Sequence, residues 1–394
     1  MVVESRFRSL FWSLFGVFVL YGTSMTIIGA TLPRILADFH WDYVTAGAVM
    51  AAGAVAYFLS TFGAGYLISS VGGKFTVVLG VVLDLVGLTF FGATSDPLTN
   101  FLLNFLIGLG QGCIEVSITW AVVRLDTQKT GAPMTFIQGA FAIGAIVGPV
   151  ILGVLLGAGG AWTLVYRGLA AVFLALGLVL VFLRFDLPPA EKATEGEAKP
   201  ARLYSHPAYW LAFAVLFLYV GVELGVSSWV SEYFIRSFGL VAATGSILVS
   251  LFWFGILVGR FGVPVVLKSW TPGRTLIVFT AIAALFIAAL SGLSLAAGQD
   301  WARWIGFVAV FGAGLGCSIV YPIVITLVGA TFPQAQSQAI GFAATGGGVG
   351  AFLFPFVMSL MSQAWGIQWG FAAYAAFAFV MTGSALVLVR VSRH

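Results

Sequence analysis

Residues 186–203 read DLPPAEKATEGEAKPARL, and this stretch decides how the chain is organised. It carries charges and prolines, shows no apolar periodicity, and is the only long hydrophilic segment in the sequence. It also lies almost at the midpoint of the 394 residues. Such a composition between two long apolar regions is typical of a linker. We therefore predict two halves, 1–185 and 204–394, joined by a linker at 186–203.

The composition on either side of this linker excludes most kinds of soluble protein. Hydrophobic residues make up 60% of the chain and charged residues only 8%, against about 45–50% and about 25% in an ordinary soluble domain. Because so few charges could not cover a soluble surface, we exclude a cytosolic enzyme, a disordered protein and a disulfide-rich secreted module. Cys113 and Cys317 lie in apolar runs and are predicted to be buried packing residues. The net charge of +4 is small and scattered, so no nucleic-acid partner is expected.

Uncharged runs mark the parts of the chain that are predicted to cross a membrane. A spanning helix needs about 20 apolar residues, and the length leaves room for twelve such helices with short loops. The uncharged run Trp304–Val389 far exceeds one span, so it must fold back at least twice. We predict an all-α polytopic membrane protein with a six-helix bundle in each half. The predicted helices are Ser9–Pro33, Tyr43–Gly73, 75–94, 101–123, one within Thr130–Tyr166, 167–184, 207–233, 243–267, 276–297, and three between 304 and 389 that turn at 332–334 and near 362–363.

Positively charged residues predict the orientation of these helices. With the amino terminus inside, four arginines fall on the outer side and thirteen Lys and Arg residues on the inner side. Cytoplasmic loops carry the excess of Lys and Arg, so both termini and the linker are predicted to be cytoplasmic. The outer residues are Arg34, Arg167, Arg236 and Arg303, and the inner ones are Arg6, Arg8, Lys74, Arg124, Lys129, Arg184, Lys192, Lys199, Arg202, Lys268, Arg274, Arg390 and Arg393.

The two halves also resemble each other in sequence. The glycine-rich stretch Gly108–Cys113 returns as Gly312–Cys317, and Gly144–Pro149 returns as Gly350–Pro355. Pairs in the same order at nearly constant spacing indicate an internal duplication with parallel repeats. Repeats of this kind build transporters in which two bundles rock around a central binding site.

Several stretches resemble known families. The turn Gly72–Lys74 after helix 2, the six-plus-six layout and the central linker resemble the major facilitator superfamily over the whole chain. Within it, the chain is similar to the fucose–proton symporter family in two places. These are GLGQGCIEVSITWAVV at 108–123 with FIQGAFAIGAIVGP at 136–149, and LYVGVELGVSSWVSEYF at 218–234 with FWFGILVGRF at 252–261.

The chain also departs from that family's pattern. The stretch Thr26–Pro33 lacks the acid that the family carries before its Leu-Pro pair, and Thr119 and Trp120 stand where it has an asparagine. Gly144–Pro149 is in addition similar to the helix 5 signature of drug–proton antiporters. The resemblance therefore leaves the solute and the coupling ion open.

Four ionisable residues lie well inside predicted helices: Asp84, Glu115, Glu223 and Arg260. A charge at mid-bilayer is costly, so each needs a partner, a cavity or a proton. The resemblance implies that helices 1, 4, 7 and 10 line a central cavity, with Glu115 and Glu223 on facing walls. We predict that Glu115 carries the coupling proton, because a bound solute would change its hydration. The alternative is a permanently protonated acid that only makes structural hydrogen bonds.

Neighbouring residues are candidates for binding the solute. Glu223 and Trp229 are six residues apart and lie on nearly one helix face, where an acid and an aromatic ring can hold a sugar or a cation. Gln138 matches a sugar-contacting amide of the resembled family. Each of these could instead be structural: a hydrogen bonder, an interfacial aromatic or a packing amide. Weaker candidates, for which core packing is favoured, are Trp120, Tyr321 and Tyr219.

The remaining charged residues are predicted to support the structure or the gate. Asp84 lies on a peripheral helix, which favours a structural hydrogen bond over an ion site. Arg260 is either a charge contact at the inner gate or a side chain that extends to the interface. Lys74 belongs to the turn signature and is counted with these structural charges.

These features predict a proton-coupled secondary transporter for a small neutral polar solute, most consistent with a monosaccharide. The protein is expected to be a monomer in the plasma (inner) membrane, with no cofactor other than the coupling ion. No enzyme signature and no metal-ligand spacing among the three histidines is present. The alternatives are a drug–proton antiporter, a sodium-coupled sugar symporter, and a membrane sensor or scaffold that does not transport.

Overall fold

The computed structural model describes residues 3–126, 132–185, 187, 205–333 and 335–392. Within these residues, all regular elements are helical, and twelve helices are long and apolar enough to cross a membrane. The predicted all-α class and the twelve spans are thus confirmed. The predicted linker at 186–203 lies outside the described residues, apart from Leu187, and stays a prediction.

The twelve helices, α1–α12, follow one another with short connections. Two single turns of 3-10 helix lie at Ser5–Phe7 and Ser294–Ala296. The helices are α1 Arg8–Phe39, α2 Tyr43–Val71, α3 Gly73–Phe90, α4 Pro97–Leu125, α5 Ala132–Gly157, α6 Thr163–Phe182, α7 Pro207–Phe238, α8 Ala242–Val266, α9 Pro272–Leu293, α10 in two segments (Asp300–Cys317 and Val320–Thr331), α11 Gln336–Trp365 and α12 Ile367–Val391.

Local sequence signals explain where several helices begin and end. Asp96 caps α4, because its carboxylate accepts a hydrogen bond from the backbone N–H of Thr99 at 2.7 Å, and Pro97 takes the first helical position. This start precedes the predicted one at 101, since capping extends a helix beyond its apolar run. Gly366, with φ of 96°, separates α11 from α12, because a positive φ is adopted readily only by glycine.

The first helix is longer than its uncharged run predicts. α1 contains Pro33 and continues to Phe39, although the prediction ended at Pro33. The added turn carries Arg34 and Asp38, which pair at 3.4 Å one helical turn apart. Asp38 also accepts a hydrogen bond from Trp162 Nε1 at 2.9 Å. A charged helix end that makes such contacts can project beyond the apolar segment.

A break in α10 was not among the sequence predictions, although Pro322 provides a signal for it, because proline has no N–H to donate to the carbonyl oxygen of Ser318 four residues earlier. The helix stops at Cys317 and resumes at Val320, with Ser318 and Ile319 between the two segments. A break leaves backbone carbonyls without a helical partner. Arg260 on α8 supplies one such partner, because its Nε donates to the carbonyl oxygen of Ser318 at 3.3 Å.

Backbone contacts divide the described residues into two compact units. The first contains α1–α6 and the first residues of α8, Ala242–Ser250, and the second contains α7, the rest of α8 and α9–α12. In the first unit α1 packs against α5, while α4 packs against α2 and α3. In the second unit α7 packs against α11 and α12, and α9 against α10 and α12. The predicted boundaries at 185 and 204 stay a prediction.

Close glycine contacts show that the two units repeat the same packing. A Cβ added at Gly108 would lie 2.0 Å from the carbonyl oxygen of Gly53, and one added at Gly314 would lie 2.0 Å from that of Phe252. Gly108 and Gly314 are therefore equivalent in the packing of the two units. The sequence comparison matched Gly108 to Gly312 instead, which is wrong by two residues.

The corrected register agrees with the other matched pair of helices. A Cβ at Gly144 would lie 1.8 Å from the carbonyl oxygen of Val19, and one at Gly350 would lie 2.1 Å from that of Phe217. The spacing from Gly144 to Gly350 along the chain is the same as that from Gly108 to Gly314. The short repeating glycine pattern Gly-x-Gly-x-Gly permitted the slip, since it matches itself when shifted by two.

Candidate functional site

The first cluster of polar side chains in the first unit centres on Glu115. Glu115 lies on α4 and is half-buried. Its Oε2 accepts a hydrogen bond from the hydroxyl of Tyr21 on α1 at 3.2 Å, and another from the hydroxyl of Tyr57 on α2. We call these three residues the Glu115 cluster. It joins three helices of one unit through a single carboxylate oxygen.

The packing around the cluster holds these side chains in place. Gly53 and Gly108 let α2 and α4 approach closely enough for Tyr57 to reach Glu115. The buried ring of Tyr21 lies 5.2 Å from that of Phe141 on α5, at a tilted angle.

The partners of Glu115 that the structure defines are neutral. Among the described residues, no ion pair to Glu115 within 4.0 Å is found. A carboxyl group held by phenol hydroxyls can gain or lose a proton without breaking a salt bridge. This is the chemistry that proton carriage requires, and it supports the predicted role without testing it.

A second cluster lies on α1, α3 and α4 of the same unit. Ser24 Oγ donates to Oδ1 of Asp84 at 3.2 Å, and Gln111 Nε2 donates to Ser24 Oγ at 2.9 Å. Asp84 is fully buried, and the other two side chains are nearly so. We call these residues the Asp84 cluster. The sequence predicts a structural hydrogen bond for Asp84, and the bond from Ser24 is a hydrogen bond of that kind.

The second unit contains a different carboxyl cluster. Oε1 of Glu223 accepts a hydrogen bond from Tyr219 at 2.5 Å, one turn earlier on α7. Arg260 on α8 makes no ion pair with Glu223 within 4.0 Å, but its positive charge acts on Glu223 from a longer distance. Arg260 also bonds to the break in α10, so Glu223 is linked electrostatically to an interrupted helix. We call Glu223, Tyr219 and Arg260 the Glu223 cluster.

Other predicted residues of the second unit differ in exposure. Trp229 is 0% exposed, so a stacking role requires its ring to be uncovered by a change of conformation. Tyr321 is 37% exposed on the second segment of α10. Trp229 shares α7 with Ser227, whose hydroxyl accepts a hydrogen bond from Trp253 Nε1 at 2.8 Å. The predicted solute contacts of Trp229 and Tyr321 stay predictions.

The remaining predicted residues belong to the first unit. Gln138 is exposed near the start of α5. Trp120 packs against Gly73, where a Cβ would lie 2.2 Å from its ring, and the guanidinium of Arg124 lies 4.2 Å from the ring centroid. Lys74 Nζ donates to two carbonyl oxygens at the end of α6, those of Val181 at 2.7 Å and Leu183 at 2.8 Å. Lys74 thus caps a helix, as a structural charge would.

Sequence reasoning missed the hydroxyl and amide partners of the buried acids. Tyr57 and Tyr21 donate to Glu115, Ser24 donates to Asp84, and Gln111 donates to Ser24, yet none of the four was singled out.

A signal existed for one of these missed partners, Tyr21. It follows Val19 by two residues on α1, just as Tyr219 follows Phe217 by two on α7. The carbonyls of Val19 and Phe217 make the equivalent glycine contacts of the two units, so the two tyrosines occupy matching places. Each tyrosine donates to a glutamate in its own unit. The internal duplication could therefore have drawn attention to Tyr21.

The twelve apolar helices and the carboxyl groups within them define a multi-pass integral membrane protein of the transporter class, and not an enzyme. Its substrate is accordingly a small molecule. The chain belongs to the Major Facilitator Superfamily, whose family model matches residues 14–317. The predicted superfamily is confirmed.

Individual relatives agree with this assignment. The chain is 25% identical over 353 residues to the "Protein TsgA homolog" of Buchnera aphidicola, covering 89% of this chain and 87% of the relative. It is 26% identical over 348 residues to the "Putative glucose/galactose transporter" of Helicobacter pylori J99, covering 84% and 83%. Its fold matches a bacterial homologue of the lysosomal transporter Spinster in an inward-facing, occupied conformation, with a TM-score of 0.80, 14% identity and 98% of each chain covered.

Proposed function

We propose that this protein is a proton-coupled symporter of a small neutral polar solute, with a monosaccharide as the solute. The observation that carries the proposal is the Glu115 cluster. In it, two phenol hydroxyls donate to an intramembrane carboxyl group that has no ion pair among the described residues. The name of the Helicobacter relative supports a hexose as the solute class. Secondary transporters of this kind place solute and coupling-ion sites near the bilayer midplane.

The residue roles follow from chemistry. Glu115 carries the proton. Glu223 and Gln138 offer hydrogen-bonding groups to sugar hydroxyls, and Trp229 stacks on the sugar ring once it is uncovered. Arg260 transmits the state of Glu223 to the break in α10. Tyr219, Tyr321 and Trp120 are secondary solute contacts.

The transport cycle that we propose uses the two halves as rocking bodies. The halves 1–185 and 204–394 alternate access to the solute and proton sites. The protein works as a monomer in the inner membrane of a bacterium, with both termini in the cytoplasm. No cofactor is needed beyond the coupling proton, because the solute gradient is driven by the proton gradient.

Purified protein in liposomes tests this proposal directly. Uptake of hexoses and deoxyhexoses is measured with proton and sodium gradients imposed separately. We expect accumulation with an inward proton gradient and none with a sodium gradient at constant pH. Glu115→Gln should abolish accumulation but leave exchange of labelled for unlabelled solute partly intact. Glu4→Gln, the same chemical change at an exposed position outside the helices, is the matched control and should transport normally.

Three outcomes would contradict the proposal. Accumulation by Glu115→Gln at the full rate would remove the proton role of Glu115. Uptake that depends on sodium at constant pH would select a sodium-coupled symporter. Efflux of cationic compounds without any sugar uptake would select a drug–proton antiporter.

A further inference from the structure

Asp84 is a buried acid that the proposed transport cycle does not use. Its side chain is 0% exposed, and Oδ1 accepts a hydrogen bond from Ser24. Its other oxygen, Oδ2, has no hydrogen-bond partner among the described residues. No described Lys, Arg or His lies within ion-pair distance of it. Asp84 is therefore neither paired with a described cation nor fully hydrogen-bonded.

A purely structural acid would be expected to satisfy both of its oxygens. Buried polar groups are nearly always hydrogen-bonded, and an unsatisfied one is costly. An ionised Asp84 would be a buried charge that a single serine hydroxyl cannot balance. A neutral Asp84 would carry an O–H on Oδ2 with no acceptor among the described residues. Because neither state is fully satisfied in this conformation, the acid fits a group that changes its protonation state during a cycle.

The Asp84 cluster lies next to the Glu115 cluster along the same two helices. Ser24 follows Tyr21 by three residues on α1, and Gln111 precedes Glu115 by four residues on α4. These spacings place both members of each pair on one helix face, one turn apart. The rise per turn is about 5.4 Å, so the two acids occupy neighbouring layers of one bundle.

We propose that Asp84, which accepts a hydrogen bond from Ser24 as Ser24 accepts one from Gln111, is a second proton-binding site of the first unit, in the layer next to that of Glu115. Uptake converts the Asp84 carboxylate to the neutral acid. On release, the Asp84 carboxyl ionises, and its proton passes either to water, which becomes hydronium, or to the Glu115 carboxylate, which becomes the neutral acid. The inference rests on the proposed function only in treating Glu115 as the first proton site.

The groups that face this site from neighbouring helices are compatible with it. Cys113 on α4 packs against α3 one turn from Asp84, because a Cβ added at Gly80 would lie 3.0 Å from the Cβ of Cys113. Arg167 on α6 is directed to the end of α3, where it donates to the carbonyl oxygens of Leu88 at 3.4 Å and Phe91 at 2.7 Å. The other titratable group on α6 is Tyr166. Those of the Glu115 cluster are Glu115, Tyr21 and Tyr57.

Infrared difference spectroscopy of the purified protein tests the site without any solute. The carbonyl stretching band of a neutral carboxyl group disappears when that group ionises. We expect wild-type protein to show titrating bands from more than one buried acid, and Asp84→Asn to lose one of them. Glu115→Gln should lose a different band. Asp300→Asn, at a side chain that is 92% exposed, is the matched control and should lose no buried-acid band.

Two results would overturn the proposal. One is a titration in which Asp84→Asn and wild-type protein lose and gain the same bands with pH, because Asp84 would then not change its protonation state. The other concerns the Glu115→Gln background. If adding Asp84→Asn to that variant leaves its pH-dependent spectrum unchanged, Asp84 does not bind a proton of its own.

A second variant keeps the test decisive if Asp84→Asn does not fold. Ser24→Ala leaves the acid in place but removes the hydroxyl that binds Oδ1. We expect its Asp84 band to shift in frequency and in titration midpoint, and an unchanged band would overturn the proposal. These measurements need no sugar, so failure of sugar uptake and failure of the second proton site are separate results.

Discussion

At the scale of single residues, Glu115 and Glu223 differ in their hydrogen-bonding and charged partners. Glu115 is bonded by two phenol hydroxyls, whereas Glu223 has one phenol and the charge of Arg260 nearby. A nearby cation favours the ionised form of a carboxyl group, whereas a carboxyl group whose partners are neutral hydroxyls can take up a proton without separating an ion pair. This difference supports assigning the proton to Glu115 and the solute or gate contact to Glu223.

Tyr57 offers a direct test of the Glu115 cluster. Tyr57→Phe removes one donor to Oε2 and leaves the ring. A hydrogen bond to a charged group is worth about 1.5–3 kcal/mol, and about 1.4 kcal/mol corresponds to a factor of ten. We therefore expect proton-driven accumulation to fall about tenfold or more while exchange is less affected. Tyr66→Phe, at a side chain that is 75% exposed on the same helix, should behave as wild type. Equal accumulation by the two variants would show that Tyr57 does not support proton binding.

At the scale of helices, the start of α2 depends on a charged cap. The carboxylate of Asp42 accepts from the backbone N–H of Thr45 at 2.7 Å. Hydrogen bonds from the Thr45 side chain and backbone hold the pKa of Asp42 below its ordinary value. A lowered pKa means that the stabilisation is present above about pH 4, the ordinary carboxyl range, and is lost as pH falls through the lowered pKa.

Replacing the cap should therefore give a pH-dependent loss of stability. Asp42→Ala is expected to reduce stability at pH 7 by about 0.5–2 kcal/mol, and the difference from wild type should shrink below about pH 4. Asp42→Asn keeps a capping side chain and should lose less. Thermal denaturation in detergent across this pH range measures both variants. A deficit that stays constant down to the lowest pH would argue against the ionised cap.

Helix contact at glycine gives a second prediction at this scale. Gly144→Ala would place a Cβ 1.8 Å from the carbonyl oxygen of Val19, so α1 and α5 must separate. Overpacking of this kind costs about 1–3 kcal/mol, which should lower the melting temperature. Gly168→Ala on α6 adds a Cβ where nothing lies within 4 Å and should be neutral or slightly stabilising. Similar melting temperatures for the two variants would refute the close contact.

Charge-free runs predicted the helices well because a lipid-facing helix must be apolar over a set length. The same runs did not predict the break at Ser318 and Ile319, because the signal for it is one residue, Pro322, which has no N–H for the carbonyl oxygen of Ser318. They also could not show that Tyr57 meets Glu115, because 58 residues separate them and the contact depends on the approach of α2 to α4. Asp84, Glu115 and Glu223 were found, since a charge in an apolar run is visible without a partner, but Glu232, buried near the end of α7, was not.

At the scale of the whole molecule, the duplication explains both the likeness and the difference of the units. In the first unit Gly112 on α4 faces Ser60 on α2. In the equivalent contact of the second unit the glycine and the serine change places, because Ser318 follows the first segment of α10 and Gly259 lies on α8.

The corrected register of the repeat also locates the chemical difference between the units. Glu115 and Tyr321 are separated along the chain by the same number of residues as Gly108 and Gly314, so Tyr321 is the equivalent of Glu115 in the second unit. The tyrosine on the first helix of each unit has the same place, while the glutamate lies on α4 in one unit and on α7 in the other. The two units therefore share packing but differ in chemistry, and this difference supports the proposed division between a proton site and a solute site.

The orientation of the whole chain gives the last prediction, and the two cysteines make it simple to test. Cys113 and Cys317 are buried, so a membrane-impermeant maleimide should not label the native protein. If the excess of Lys and Arg lies inside, the loop between α3 and α4 is outside and the segment before α7 is inside. Ser95→Cys should then react in intact cells, and Ser205→Cys only after the membrane is permeabilised. The reverse pattern would place both termini outside and would invalidate the thirteen-to-four charge count as a guide to topology. Labelling of both positions in intact cells would contradict an odd number of spans between them.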